Sequence, residues 1–281
     1  MGRFGGFIGI LRPVNSVMMG VGILVGVVIA GRLSSSIQPA FLALAFVTGF
    51  ALTGSAMVIN DYYDKEIDAV NEPSRPIPSG EVTPHQAITY SLILSAVGLI
   101  AAYFTSLPNL AVAVFSWLVM MLYSAWGKRT GFLGNLMVST CIALPFLYGG
   151  AIVGNVSTSL LFSVLAFLSN TGREITKGIV DTEGDSSQGV KTIAVAYGVG
   201  TAAYIASAFY LVTVTASILP LLLGLVTLWY VPFVVVTDAG LVYGSVTLLR
   251  DHSREASRRV KKQVLYWMLF GLLAFAAGAL L

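Results

Sequence analysis

Long apolar runs alternate with short polar stretches along the whole chain. A helix that crosses the roughly 30 Å hydrocarbon core of a bilayer needs about 20 mainly apolar residues. Runs of that length recur throughout the sequence, so the pattern predicts an all-α, polytopic membrane protein. We place nine candidate transmembrane helices at residues 14–31, 39–60, 86–106, 109–126, 132–154, 158–180, 199–217, 219–248 and 262–281.

The composition agrees with this pattern. Hydrophobic residues make up 56% of the chain, charged residues only 10%, and the mean hydropathy is +0.84, which is typical of multi-span membrane proteins. The first residues lack the layout of a cleavable signal, so we expect the first span to stay in the mature chain. The single cysteine, Cys141, lies in an apolar run and is expected to be a packing residue. Nothing indicates a nucleic-acid partner or an obligate protein partner.

The basic residues are unevenly distributed between the two sides of the predicted membrane. With the nine spans above, fifteen of the sixteen Lys and Arg residues fall on one side, and Arg32 alone falls on the other. The positive-inside rule therefore predicts a cytoplasmic N-terminus, cytoplasmic charged loops and an outside C-terminus. Twelve of the thirteen acidic residues share the cytoplasmic side, Asp238 being the exception. Because membrane insertion does not require acidic residues there, their concentration indicates function.

The first acidic cluster is NDYYDKEIDAVNEPSRPIPS at residues 60–79. If the preceding helix continues to Asp68, 100° per residue places Asn60, Asp61, Asp64 and Asp68 within an arc of roughly 100°. Like charges on one helical face repel each other unless a cation lies between them. Oxygen ligands without a nearby His or Cys favour Mg²⁺ over softer metals. A solvated helix end is the simpler alternative.

A second cluster, REITKGIVDTEGD at residues 173–185, repeats the spacing of the first. Asp181 and Asp185 follow Asp64 and Asp68 by 117 residues each. Two carboxylate-bound Mg²⁺ ions facing each other would hold a diphosphate, because Mg²⁺ commonly binds one or two carboxylates together with phosphate oxygens. We therefore expect two Mg²⁺ ions, with the candidate ligands Asn60, Asp64, Asp68, Asp181 and Asp185.

Cations near these clusters are candidates for binding phosphate. The loop at residues 70–84, which overlaps the end of the first cluster, holds four prolines, and this suits a stiff cap over a site. Arg75 in this loop would match phosphate oxygens in a bidentate manner. Tyr123 lies about one turn deeper than Lys128 and would face the reacting carbon, although interfacial aromatic packing also explains it. The candidate phosphate-binding residues are Arg12, Asn15, Arg75, Lys128, Arg173, Lys177 and Lys191, of which several would also serve as topology signals.

Two further features have a functional and a structural interpretation. Asp238 lies well inside an apolar run, where a carboxylate is a functional candidate by default, but nearby hydroxyl groups would also satisfy it. Residues 250–262 hold six basic residues, which set topology and contact anionic lipid headgroups.

With these motifs in hand, the chain resembles the UbiA superfamily of membrane-embedded prenyltransferases. The resemblance lies in NDxxDxxxD at residues 60–68, RPIPSG at 75–80, DTEGD at 181–185 and KTIAVAYG at 191–198. It implies one domain over residues 1–281, with two acidic-motif halves at about 1–130 and 131–281. It further implies nine helices around a central cavity that opens to the cytoplasm, two Mg²⁺ ions, and an isoprenyl diphosphate donor whose tail lies among the helices.

Within the superfamily, LRPVN at residues 11–15 and the second acidic cluster resemble the branch of archaeal ether-lipid synthesis. That resemblance implies transfer of a geranylgeranyl group from geranylgeranyl diphosphate to the free hydroxyl of geranylgeranylglyceryl phosphate, a lipid-like glycerol phosphate acceptor. Asp61 or Asp68 would accept the proton, and Lys128 and Tyr123 would assist catalysis. The first cluster is also close to the chlorophyll synthase branch, so a chlorophyll synthase-like or aromatic-acceptor (quinone) enzyme is an alternative. A divalent-cation or lipid transporter is the alternative from another class.

Overall fold

The computed structural model describes residues 3–31, 37–187 and 189–280, so Arg32 and Gln188 lie outside the described residues. Within these ranges all regular structure is helical, as predicted. The α-helices are α1 (Arg3–Leu11), α2 (Pro13–Gly31), α3 (Pro39–Asn71), α4 (Pro84–Thr105), α5 (Leu107–Ala125), α6 (Phe132–Ile152), α7 (Val156–Val180), α8 (Thr182–Ser187), α9 (Ile193–Tyr197), α10 (Val199–Ala216), α11 (Leu219–Leu222), α12 (Tyr230–Arg250) and α13 (Arg254–Leu280), and a 3₁₀ helix covers Gly127–Thr130.

Helix α3 determines where the first acidic cluster lies. It is 33 residues long, or about 50 Å at 1.5 Å per residue, which exceeds the roughly 30 Å of a bilayer core. The helix continues past the predicted end of the span at residue 60 and past Asp68, which meets the condition for one shared acidic face, so its last turns carry the acidic cluster beyond the apolar part. Irregular backbone follows, and α4 then begins at a capping box in which Thr83 and Gln86 each accept a hydrogen bond from the other's backbone N–H.

Eight of the described helical segments are long and apolar enough to cross a membrane. Each of the eight corresponds mainly to one predicted span. The predicted span without a counterpart among them is 158–180, which corresponds to α7. Helix α7 has 25 residues, about 37 Å, so its length also suffices. It is mostly buried in the bundle, with many buried Ser and Thr residues along its length. The chain is an integral membrane protein, and a ninth crossing by α7 stays a prediction.

The predicted continuous helix at 219–248 is wrong. Helix α11 ends at Leu222, and α12 begins only at Tyr230. Between them Gly224 has φ +64, a left-handed conformation that glycine adopts without steric penalty. The backbone N–H of Thr227 donates to the carbonyl of Gly278 on α13, which fastens this connection to the bundle. The run is apolar throughout, so hydropathy gave no sign of the break.

The last helix, by contrast, begins earlier than the predicted span at 262–281. Helix α13 starts at Arg254, where the Ser253 hydroxyl accepts a hydrogen bond from the backbone N–H of Ala256. Most of the basic segment 250–262 is therefore helical and extends the apolar part of α13.

Small residues allow the helices to pack closely. Gly26 on α2 and Gly149 on α6 lie backbone against backbone, and neither position leaves room for a side chain. Close approach through small residues is the usual means of association between membrane helices. In the second half of the chain, α7, α10, α12 and α13 share an apolar core that includes Ile175, Tyr210 and Leu241. This packing brings the C-terminal ends of α3, α5 and α7 together.

Candidate functional site

The side chains of the first acidic cluster divide into two groups with different partners. Asp64 accepts a hydrogen bond from Asn60 at 3.0 Å and forms an ion pair with Lys128, which lies in the 3₁₀ helix after α5. The spacing of four residues places Asn60 and Asp64 one turn apart on the same face of α3. This group faces a cavity.

Asp61 and Asp68 instead bind arginines. Arg12 Nη2 lies 2.6 Å from Asp61 Oδ1, and Arg75 Nη1 lies 2.7 Å from Asp68 Oδ2 and 3.6 Å from Asp61. Both carboxylates are buried. Burial alone would lower the pKa of Arg75, but the hydrogen bond from Arg75 to Asp68 and the charge of that carboxylate raise it. The loop arginine therefore serves as a counter-ion for the helix.

Arg12 occupies a strained position. It lies between α1 and α2 with φ 49, the one non-glycine residue among those described that has a positive φ. Such a conformation disfavours a long side chain, so the surrounding structure must hold it. The contact with Asp61 and the hydrogen bond from the Ser16 N–H to the Arg12 carbonyl supply that support.

The second acidic cluster lies where α7 ends. Asp181 directly follows the last residue of α7, and Asp185 lies in the short helix α8. Burial, and then the neighbouring charge of Asp181, raise the pKa of Asp185, while Lys177 opposes the shift. A carboxylate whose charge is disfavoured in this way gains from a nearby cation.

Both clusters line one cavity of about 260 Å³. Asn60 and Asp64 come from α3, whereas Asp181 and Asp185 come from the end of α7 and from α8. Tyr123 and Lys128 also line it, together with Gly131, Gly134, Asn135, Glu174, Lys177, Gly178, Val190 and Thr192. The matched spacing in the sequence therefore corresponds to two acidic groups on one polar cavity.

The donor atoms suit a hard cation that is shared with a ligand. Among the described residues no group of three or more His, Cys, Asp or Glu side chains is arranged to hold a metal ion by itself. Each cluster instead offers the cavity oxygen donors from two side chains, Asn60 with Asp64 and Asp181 with Asp185. Mg²⁺ bound through one or two carboxylates and substrate phosphates requires such an incomplete set. The residues present thus fit Mg²⁺ together with a phosphate-bearing ligand.

Other candidates from the sequence lie outside this cavity. Asn15 and Lys191 are exposed and are not among its lining residues. Arg173 contacts Glu174 at 3.0 Å, and Asp61, Asp68, Arg12 and Arg75 form the adjacent ion-pair group. The deep carboxylate Asp238 accepts a hydrogen bond from the Ser217 hydroxyl at 2.7 Å, which favours the structural interpretation of that residue.

Glu174 was not among the candidate residues predicted from the sequence, yet it is central to the second cluster. It is buried, and its two carboxylate oxygens contact Arg173 at 3.0 Å and Lys177 at 3.3 Å. The i, i+3 spacing of Glu174 and Lys177 on α7 was the available signal. Glu174 holds the two cations that precede Asp181.

A helical membrane protein whose two acidic clusters meet on one polar cavity fits an intramembrane enzyme that acts on a phosphate-bearing substrate. The model of the UbiA prenyltransferase family matches residues 19–279, so the chain belongs to that family and is a prenyltransferase.

Comparison with individual proteins agrees. The chain is 37% identical over 275 residues to the digeranylgeranylglyceryl phosphate synthase of Methanothermobacter thermautotrophicus, covering 97% of this chain and 95% of that protein. It superimposes with a TM-score of 0.89 and 31% identity, over 99% of both chains, on a solved structure from work on digeranylgeranylglyceryl phosphate synthase in membranes. A UbiA homologue from Archaeoglobus fulgidus, solved with GPP and Mg²⁺, has the same fold, with a TM-score of 0.66 at 15% identity over 96% of this chain and 99% of that one.

Proposed function

We propose that this chain transfers a geranylgeranyl group from geranylgeranyl diphosphate to the free hydroxyl of geranylgeranylglyceryl phosphate, in archaeal ether-lipid synthesis. The observation that carries the proposal is the 37% identity, over 97% of the chain, to a protein named for the product of that transfer. The cavity supports it, because carboxylates from two clusters and two lysines suit a diphosphate bound with Mg²⁺.

Asn60 and Asp64 are proposed to hold one Mg²⁺, and Asp181 and Asp185 a second. Asp68, the third ligand predicted for the first ion, would have to separate from Arg75 to join it. The A. fulgidus homologue with GPP and Mg²⁺ supports this use of the fold. Bound Mg²⁺ would neutralise negative charge on the diphosphate as it leaves. Lys128 is paired with Asp64 in the structure and would turn towards the diphosphate when the carboxylate binds a metal ion.

The remaining steps use side chains that line the cavity together with the adjacent ion-pair group of Asp61, Asp68 and Arg75. The allylic C–O bond breaks and its electron pair stays on the diphosphate, whose charge Lys128, Lys177 and Arg75 stabilise. The face of Tyr123 stabilises the allylic cation by about 0.5–2 kcal/mol. The acceptor hydroxyl oxygen then bonds to the allylic carbon and releases its proton. Asp61 or Asp68 is the proposed proton acceptor and would first have to separate from its arginine partner; a diphosphate oxygen is the alternative.

The remaining candidate residues are proposed to bind phosphate groups of the substrates. The candidate phosphate contacts are Arg12 and Asn15, near the start of α2, together with Arg173 and Lys191. Arg173 would reach the ligand from its position beside Glu174.

The proposed topology has nine crossings, with α7 as the ninth, so that the two termini lie on opposite sides. The N-terminus and the site loops are cytoplasmic, the cavity opens to that side, and residues 1–281 form one domain whose halves each supply an acidic cluster. Thiol labelling from outside sealed right-side-out vesicles tests this topology in a Cys141→Ala background. Ser157→Cys, at the start of α7, should react, whereas Ser79→Cys, in the loop before α4, and Ser187→Cys, in α8 after α7, should be protected. Labelling of Ser187→Cys would show that α7 does not cross the membrane.

A product assay tests the reaction itself. Purified protein with Mg²⁺ and geranylgeranyl diphosphate is incubated separately with geranylgeranylglyceryl phosphate, 4-hydroxybenzoate and chlorophyllide, and products are identified by mass. A digeranylgeranylglyceryl phosphate product supports the proposal. Prenylation of only 4-hydroxybenzoate or chlorophyllide would favour the aromatic or chlorophyll branch. Absence of every product would show that the acceptor is none of these three compounds.

A further inference from the structure

A second cavity, of about 370 Å³, lies beside the first. It is formed by the last turns of α3 and by the turn from α5 into the 3₁₀ helix Gly127–Thr130. Asp64 and Lys128 line both cavities. The two cavities therefore meet at the Asp64–Lys128 ion pair, which is where the proposed reaction would take place.

The second cavity contains a cation whose charge is not compensated. The other cations of the site each contact a carboxylate within the described part of the chain, in the pairs Arg12–Asp61, Arg75–Asp68, Lys128–Asp64, Arg173–Glu174 and Lys177–Glu174. Arg129 is exposed, lines the second cavity, and forms no ion pair with a described residue. A guanidinium in this situation is available for an anionic ligand, and its planar shape matches phosphate oxygens.

The other walls of the second cavity suit an amphipathic molecule. Tyr63 and Trp126 are 48% and 56% exposed, and Ile67 and Ala125 add apolar surface. Tyr and Trp commonly lie where apolar and polar surroundings meet at a membrane surface. The cavity thus combines one free cation with apolar and aromatic walls, which is the surface expected around the headgroup end of a lipid that carries a phosphate.

We propose that the second cavity binds the glycerol phosphate end of the lipid acceptor, with Arg129 holding its phosphate and Trp126 and Tyr63 contacting the start of its chain. This assignment rests on the proposed function. Because glycerol has only three carbons, the phosphate and the free hydroxyl are at most two carbons apart. A residue that binds the phosphate must therefore lie next to the reacting centre, and Arg129 directly follows Lys128, which borders both cavities.

Steady-state kinetics of Arg129→Gln and Arg129→Lys test the assignment, with Arg258→Gln as a matched control. Arg258 is also exposed, lies on α13, and borders neither cavity. Arg129→Gln should raise the KM for geranylgeranylglyceryl phosphate about 10- to 100-fold. The KM for geranylgeranyl diphosphate should stay within about twofold, and Arg129→Lys should recover part of the loss because it keeps the charge without the bidentate geometry. Arg258→Gln should behave as wild type.

A neutral acceptor, geranylgeranylglycerol, separates recognition of the phosphate from a general loss of structure. The wild type and Arg129→Gln should use it with equal kcat/KM, whereas a damaged site would use both acceptors poorly. Equal KM values of wild type and Arg129→Gln for geranylgeranylglyceryl phosphate would overturn the assignment and leave the proposed function intact. A wild-type protein that does not prenylate geranylgeranylglyceryl phosphate would overturn the proposed function, and this assignment with it.

Discussion

Asp64 and Asp181 are separated by 117 residues in the chain and line the same cavity. Asp64 lies on the extension of α3, and Asp181 directly follows α7. Because the two helices end at the same end of the bundle, acidic clusters from both halves of the chain can act on one ligand. The interpretation of the site as a diphosphate-binding centre depends on this relationship.

Replacing either carboxylate should abolish prenyl transfer. Asp64→Ala and Asp181→Ala each remove a proposed metal ligand, and we expect turnover to fall by roughly 100-fold or more, as for loss of other groups that stabilise transition-state charge. Transfer of a radiolabelled prenyl group measures this effect. Asp251→Ala is the control, because Asp251 is exposed and remote in sequence from both clusters. Wild-type turnover in a folded Asp64→Ala sample would contradict the metal assignment.

Removal of divalent cations should stop the reaction, and Mg²⁺ should restore it. Because Asp185 contributes to one proposed metal site, Asp185→Asn should raise the Mg²⁺ concentration for half-maximal activity at least about 10-fold. Since the pKa of Asp185 is raised, its charged form is lost earlier on acidification than that of an ordinary aspartate, so Mg²⁺ affinity should fall as the pH is lowered. The Mg²⁺-dependent rise in melting temperature without substrate measures the affinity directly. An unchanged rise in Asp185→Asn would count against this site.

Loss of the loop arginine should destabilise the protein. Arg75→Ala leaves the buried Asp68 without its 2.7 Å partner, which should lower the free energy of unfolding by about 1–3 kcal/mol. Arg75→Lys should recover part of this lost free energy of unfolding. Reversible unfolding in mixed detergent provides the measurement, with Arg258→Ala as an exposed control. Equal stability of Arg75→Ala and wild type would show that the ion pair contributes little.

Glu174→Gln should weaken donor binding. The amide keeps the shape of the side chain but removes the charge that holds Arg173 and Lys177. We expect the KM for geranylgeranyl diphosphate to rise about 10-fold, because Lys177 no longer stays at the cavity. Glu255→Gln, at an exposed position on α13, is the matched control. A Glu174→Gln enzyme with wild-type kinetics would show that Lys177 does not need this partner.

Gly131→Ala should be destabilising, whereas Gly184→Ala should not. Gly131 has φ +65, and a Cβ there would collide with the backbone of Lys191. A left-handed conformation and a clash together should cost about 1–3 kcal/mol of stability. A Cβ at Gly184 meets no atom within 4 Å. Thermal unfolding of the two variants side by side tests the difference, and equal melting temperatures would contradict it.

Much of the fold follows from local properties of the chain. Apolar runs of span length, the proline and threonine that begin α4, and the length of α3 are all visible in the sequence, because they depend on residues close together along it. The break between Leu222 and Tyr230 was not predicted, because the hydropathy of an apolar stretch is the same whether its backbone is helical or turns.

The sequence by itself determined that this is a helical membrane protein with two acidic clusters of matching spacing, because composition and periodicity are properties of short segments. Only the tertiary structure decided which carboxylates share the cavity and which bind arginines, that Glu174 joins two cations, and that a second cavity is lined by Arg129, which has no ion-pair partner in the described part of the chain. Those relationships join residues on different helices, and the packing of the helices brings them within a few ångströms of each other.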